Sequence, residues 1–112
     1  MTLEALGKFG ANVEDGLKRC MNNEAFYLRL VGMALDDGAF ESLGATLSEN
    51  DLDKAFEEAH KLKGATGNLS LTPIYDPLVT LTELLRNKTP GDYDALYKTV
   101  MEKTNELRAL MK

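Results

Sequence analysis

Cysteine occurs once in the 112 residues, as Cys20, so no disulfide can close within the chain and no multi-cysteine zinc site can be assembled. A single unpaired thiol fits a reducing compartment. Histidine also occurs once, as His60, which excludes an HExxH zinc motif, a histidine cluster and a second imidazole for catalysis. Val and Ile together number five against nineteen Leu. Strands favour β-branched residues and helices favour Leu, so the composition leans all-α. Basic residues are in deficit. Thirteen Lys and Arg face 18 Asp and Glu, for a formal net charge of −5. Such a balance repels a phosphate backbone and argues against nucleic acid as a partner. No apolar run approaches the roughly 20 residues needed to span a bilayer. The start, Met1-Thr-Leu-Glu-Ala-Leu-Gly7, lacks the basic opening and long apolar stretch of a signal peptide. The expectation is a cytoplasmic protein that engages no nucleic acid and no membrane. Polar outer faces make a monomer the default.

With 44% hydrophobic residues, the length suffices for one domain with a core, spanning 1–112. No internal repeat, low-complexity tract or long linker divides it. Residues Asn12 to Met21 form a short helical candidate after Gly10. Asn22 and Asn23 are turn or cap residues. From Glu24, apolar residues at Tyr27, Leu28, Val31, Ala34 and Leu35 recur at helical spacing, and Asp36-Asp37-Gly38 breaks or kinks that helix. Ala39 to Leu47 carries Phe40, Leu43 and Leu47 on one face. Ser48 with Asp51 resembles a capping box, and Asn50 or Asp51 could equally be the cap of a helix running to about Leu69. Thr72-Pro73 starts the next helix, with proline where its missing N–H costs nothing and with Ile74, Leu78, Leu81 and Leu85 as its stripe. Lys88-Thr89-Pro90-Gly91 is a turn. Asp92 to Met111 closes the chain, with Leu96, Val100, Leu107 and Leu110 facing inward. Long helices joined by short loops predict an antiparallel four-helix bundle with a short additional N-terminal helix.

The segment from Asp51 to Ser70 reads DLDKAFEEAHKLKGATGNLS. Its apolar stripe is Leu52, Ala55, Ala59, Leu62, Thr66 and Leu69, at spacings of three and four. At about 100° per residue, His60 lies roughly 140° from the centre of that stripe and points toward solvent. On the same exposed face, one and two turns on, sit Gly64 and Gly67. A glycine inside a helix costs about 0.8–1 kcal/mol relative to Ala. Two of them beside one imidazole suggest a clearing through which something bulky approaches the ring. Lys63 flanks that face and is suited to pair with an anion attached to the imidazole, while Lys61 adds a second positive charge. An exposed imidazole, a clearing and a cationic flank are what a reversible phosphoryl carrier needs. Asp53 and Glu57 lie earlier on the face and read as solvated helix residues rather than a metal site. Phe56, one turn before His60, is a docking residue or packs at the bundle edge.

The run Ala59-His60-Lys61-Leu62-Lys63-Gly64, followed by small residues to Gly67, resembles the signature of histidine-containing phosphotransfer (HPt) domains, whose pattern is Ala-His-x-Leu-Lys-Gly on the second helix of a four-helix bundle. Upstream, Asn12-Val-Glu-Asp-Gly-Leu-Lys-Arg19 and Glu24-Ala-Phe-Tyr-Leu28 look like the usual approach to the first bundle helix. The resemblance implies a phosphorelay intermediate without an enzymatic turnover of its own. His60 would be phosphorylated, with Lys63 as its charge partner. Gly64, Gly67, Lys61 and Phe56 would form the partner-binding surface. The partners implied are response-regulator receiver domains or a hybrid histidine kinase. The chain would bind no cofactor or metal, and Mg²⁺ with most catalytic groups would come from the receiver. Many members carry glycine ten residues after the histidine, where this chain has Ser70, so the turn there is expected to differ. Two alternatives stay open: a segment of a chemotaxis-type histidine kinase, and a helical adaptor that keeps the bundle without phosphotransfer. A small hydrolase or metalloenzyme lacks its parts.

Overall fold

The computed structural model describes residues 1–36 and 38–111; Asp37, part of the expected helix break, lies outside the described residues. Among these, seven helices and no strand are found: α1 (Leu3–Phe9), α2 (Val13–Arg19), α3 (Glu24–Asp36), α4 (Ala39–Ser48), α5 (Leu52–Asn68), α6 (Thr72–Arg86) and α7 (Tyr93–Leu110). None is long and apolar enough to cross a membrane.

Side-chain caps set most of the starts by satisfying backbone N–H groups that the first turn leaves unpaired. Asn12 accepts from Asp15 N, Asn23 from Phe26 N, Asp51 from Lys54 N and Asp92 from Ala95 N. The choice between Asn50 and Asp51 is thereby settled for Asp51, while Asn50 takes a left-handed φ of 61° and Ser48 ends α4. The sequence reading missed α1. Its cap is Thr2, which accepts from Ala5 N, and it buries Leu6 and Phe9. Two short helices therefore precede α3, where one was expected.

The core takes Tyr27, Val31 and Leu35 from α3, Phe40 and Leu43 from α4, Ala55, Ala59 and Leu62 from α5, and Ile74, Leu78, Leu81 and Leu85 from α6. Helix α5 packs on α4 and α6, α6 on α7, and α7 returns to α4 and α1. Each fully buried leucine in this set contributes about 1.5–3 kcal/mol. The stripe expected on α7 needs one correction. Leu110 is exposed, and Thr104 is buried instead, its hydroxyl bonded to Val100 O at 2.8 Å. A threonine that bonds back into its own helix loses its polar character, so an apolar pattern cannot find it.

The break between α3 and α4 is bridged from α7. Arg108 donates to Leu35 O through Nε at 3.1 Å and Nη2 at 2.7 Å, and to both carboxylate oxygens of Glu41 at 2.9 and 3.1 Å. The guanidinium fork thus caps the end of α3 and holds the start of α4 with one side chain. Below that break, Ser42 and Thr46 of α4 donate to the Glu58 carboxylate of α5.

Candidate functional site

Helix α5 is the spine of the site because its two faces do different work. Ala55, Ala59, Leu62 and Thr66 are buried, and that fixes the rotation of the helix about its axis. The same rotation turns His60 and Gly64 outward, and both are exposed. Neither ring nitrogen of His60 has a hydrogen-bond partner among the described residues, so both are available to an incoming group.

The imidazole is nevertheless held. It stacks on the ring of Phe56, with centroids 5.8 Å apart and planes inclined by 20°. The guanidinium carbon of Arg86, on α6, lies 5.5 Å from the centroid of the same phenyl ring, and Arg86 is itself paired with Glu83 at 3.3 Å. Phe56 is half-buried and packs against the core. The sequence offered docking or edge packing for Phe56; the structure shows contact with the histidine itself. Arg86 had no signal in the sequence, because its approach depends on how α6 lies against α5.

The two glycines differ. A Cβ built at Gly64 meets nothing within 4 Å. One built at Gly67 would come within 2.9 Å of Tyr75 Cε1. Gly64 therefore opens space beside the imidazole, whereas Gly67 lets the Tyr75 ring of α6 lie close against α5. Packing within the chain accounts for Gly67, which corrects the view that both glycines form one clearing.

Lys63 is half-buried and Lys61 exposed, and neither has an ion-pair partner among the described residues. Asp53, on the histidine face, pairs with Lys88 at 3.2 Å, an exposed contact worth little in stability. No group of three or more His, Cys, Asp and Glu side chains is placed to hold a metal ion among the described residues.

Beyond Lys63 and Gly64 the surface falls into a groove of about 390 Å³. Gly67, Asn68 and Thr72 continue one part of it, and Asn12, Asp15 and Arg19 contribute from the α2 region. The α5–α6 turn that shapes it centres on Ser70, which takes the left-handed conformation with φ of 57°. That backbone region costs an L-residue about 1–2 kcal/mol and is the natural place for glycine. Here the serine side chain gains a partner. Its hydroxyl donates to Asp15 Oδ2 at 2.5 Å, and its carbonyl accepts from Asn12 N at 3.0 Å. Tyr27 adds a third tie, donating to Leu69 O at 2.7 Å. The Ser70 hydrogen bond, followed by that from Arg19, holds the Asp15 carboxyl below its usual range. The sequence marked Ser70 as unusual but gave no sign of its partner, 55 residues away.

A family model described as Hpt domain matches residues 30–112. Comparison with curated proteins and with solved structures gave no match.

Proposed function

The chain belongs to the Hpt domain family, whose members serve phosphotransfer in two-component signalling, and from that premise we propose that it is a phosphorelay carrier that exchanges a phosphoryl group between His60 and an aspartate of a receiver domain. The observation that carries this reading is the pairing of an exposed, hydrogen-bond-free imidazole with the open space at Gly64. Transfer between two proteins requires one protein surface to reach the nucleophile, and an alanine or larger residue at position 64 would stand in the way.

In the proposed step, a lone pair on a neutral imidazole nitrogen attacks the phosphorus of an aspartyl phosphate. The N–P bond forms as the P–O bond to the aspartate breaks, and the carboxylate leaves with the electron pair. The reverse step returns the phosphoryl group to a carboxylate. Transfer in line depends mainly on alignment and charge neutralisation. The Phe56 stack supplies alignment of the ring, and Lys63 supplies a positive charge one turn away. Lys61 adds a peripheral charge, and Gly67 contributes through the surface that Tyr75 shapes. The divalent cation and remaining catalytic groups belong to the receiver, so the chain carries phosphate without turning over substrate alone.

The architecture behind this reading is an antiparallel four-helix bundle, with α3 and α4 as one interrupted helix and α5, α6 and α7 as the others. Residues 1–112 act as one unit, because Ser70 bonds to Asn12 and Asp15 and α7 packs on α1, joining the N-terminal helices to the matched segment. The protein works as a monomer in the cytoplasm. Incubation with phosphorylated receiver domains from the same cell tests the reading. Acid-labile label should accumulate on the wild-type chain and be missing from His60→Gln. Receiver binding without any phosphate exchange would instead favour an adaptor.

A further inference from the structure

We propose that the groove beside His60 receives an acidic surface segment of the phosphoryl-exchanging receiver, and that Arg19 of α2 is a determinant of which receiver docks. The inference rests on the phosphorelay reading and adds to it how a partner is selected. The match to the family begins at residue 30, yet Asn12, Asp15 and Arg19 line the same groove as Lys63 and Gly64. The N-terminal helices, which lie outside the matched segment, thus reach the site.

The groove is built to offer donors. Asp15 Oδ2 accepts from both Ser70 Oγ at 2.5 Å and Arg19 Nε at 2.9 Å. That carboxylate is engaged inside the chain and holds the guanidinium by its Nε edge. Nη1 and Nη2 of Arg19 have no partner among the described residues, nor do Lys63 Nζ and the Asn68 amide. An arginine held in this way keeps its two terminal amino groups for a carboxylate, at a reduced entropic cost of ordering. The rest of the chain disfavours an acidic partner, because the net charge is −5. An acidic segment approaching this molecule meets repulsion over much of the surface and unpaired donors at the groove. The contrast orients the encounter so that the partner arrives beside His60.

The test measures the half-saturating concentration of the receiver domain that transfers phosphate to the wild-type chain fastest, for the wild-type chain and three variants. Arg19→Glu should raise it about tenfold, in keeping with loss of charge complementarity at an interface. Thr72→Asp places a carboxylate in the groove at the first turn of α6, where the helix dipole favours it, so a weaker interaction there cannot be ascribed to unfolding. It should shift the concentration in the same direction. Arg29→Glu makes the same charge change as Arg19→Glu on α3, where Arg29 lies over Phe26, and should leave the concentration at the wild-type value. A Thr72→Asp chain indistinguishable from wild type would overturn the groove proposal, whatever Arg19→Glu does. A wild-type chain that no receiver labels would be a different result, since it removes the phosphorelay reading itself.

Discussion

The imidazole of His60 lies against the ring of Phe56, one turn earlier on α5, with centroids 5.8 Å apart and planes inclined by 20°. An exposed histidine without this contact would sample several rotamers. The stack restricts them, at a gain of about 0.5–1.5 kcal/mol for such a ring pair. Phe56→Leu should therefore lose roughly 1 kcal/mol of stability in urea denaturation. In NMR spectra the His60 ring protons should move as the ring current disappears, and phosphoryl uptake should slow. Phe56→Tyr keeps the ring and should keep all three properties. Unchanged His60 resonances in Phe56→Leu would show that the stack is not formed in solution.

Gly64 and Gly67 should respond in opposite ways to alanine. The Cβ at position 64 meets open space, so Gly64→Ala should stabilise the protein by up to about 1 kcal/mol through helix propensity while slowing transfer from a receiver. At position 67 the added carbon presses on Tyr75, so Gly67→Ala should lower the melting temperature. Thermal melts of the two variants beside one transfer assay check both signs. A Gly64→Ala protein that is more stable and equally active would remove the argument that this space serves a partner.

Ser70 combines an unfavourable backbone conformation with a hydrogen bond to Asp15. Glycine relieves the backbone and loses the bond, and alanine loses the bond while keeping the strain. Denaturation midpoints should therefore rank Ser70 highest, Ser70→Gly next and Ser70→Ala lowest. If Ser70→Gly exceeds the wild type, the hydroxyl is not compensating for the left-handed turn.

Acid should weaken the fold in a defined window. The Asp15 carboxyl is held low by Ser70 and then Arg19, and that of Glu41 by its hydrogen bond from Arg108. Burial pushes Glu58 up, but the bonds from Ser42 and Thr46 together with nearby lysines outweigh it, and the net direction is down. Carboxyls lowered on folding contribute stability that is complete above their ordinary values of 3.8 and 4.5 and is lost as pH falls through the folded values beneath. Tyr27 acts on the alkaline side, where burial also raises the Tyr97 phenol. Burial, reinforced by Cys20 and Asp15, pushes the Tyr27 phenol from 10.0 up to about 12. Its contribution is complete below pH 10.0 and is lost as pH rises through about 12. The melting temperature should hold through neutral pH and fall on both sides, and Thr46→Val should soften the acid limb. An acid limb unaltered by Thr46→Val would contradict the role given to Glu58.

Much of this was legible in the sequence because α5 announces both of its faces. The spacing of Ala55, Ala59, Leu62 and Thr66 defines the inner side, and His60 falls outside it by simple rotation. Asp51 and Thr72-Pro73 marked helix starts through local chemistry. What stayed hidden depends on contacts between distant residues. Arg86 reaches Phe56 across two helices, Arg108 reaches Leu35 and Glu41, and Asp15 reaches Ser70. Gly67 looked like Gly64 because a sequence does not reveal that Tyr75 lies over one and not the other. The short α1 was missed although Thr2 before Leu3 is a cap signal of the same kind as Asn12 before Val13.

The central claim is that His60 carries the phosphate, and peptide mapping of the chain after incubation with a phosphorylated receiver tests it most directly. Kept alkaline to preserve an N–P bond, the digest should show the phosphate on the peptide that contains His60. Label on any other peptide, or a receiver that keeps its phosphate in the presence of the chain, would contradict the account.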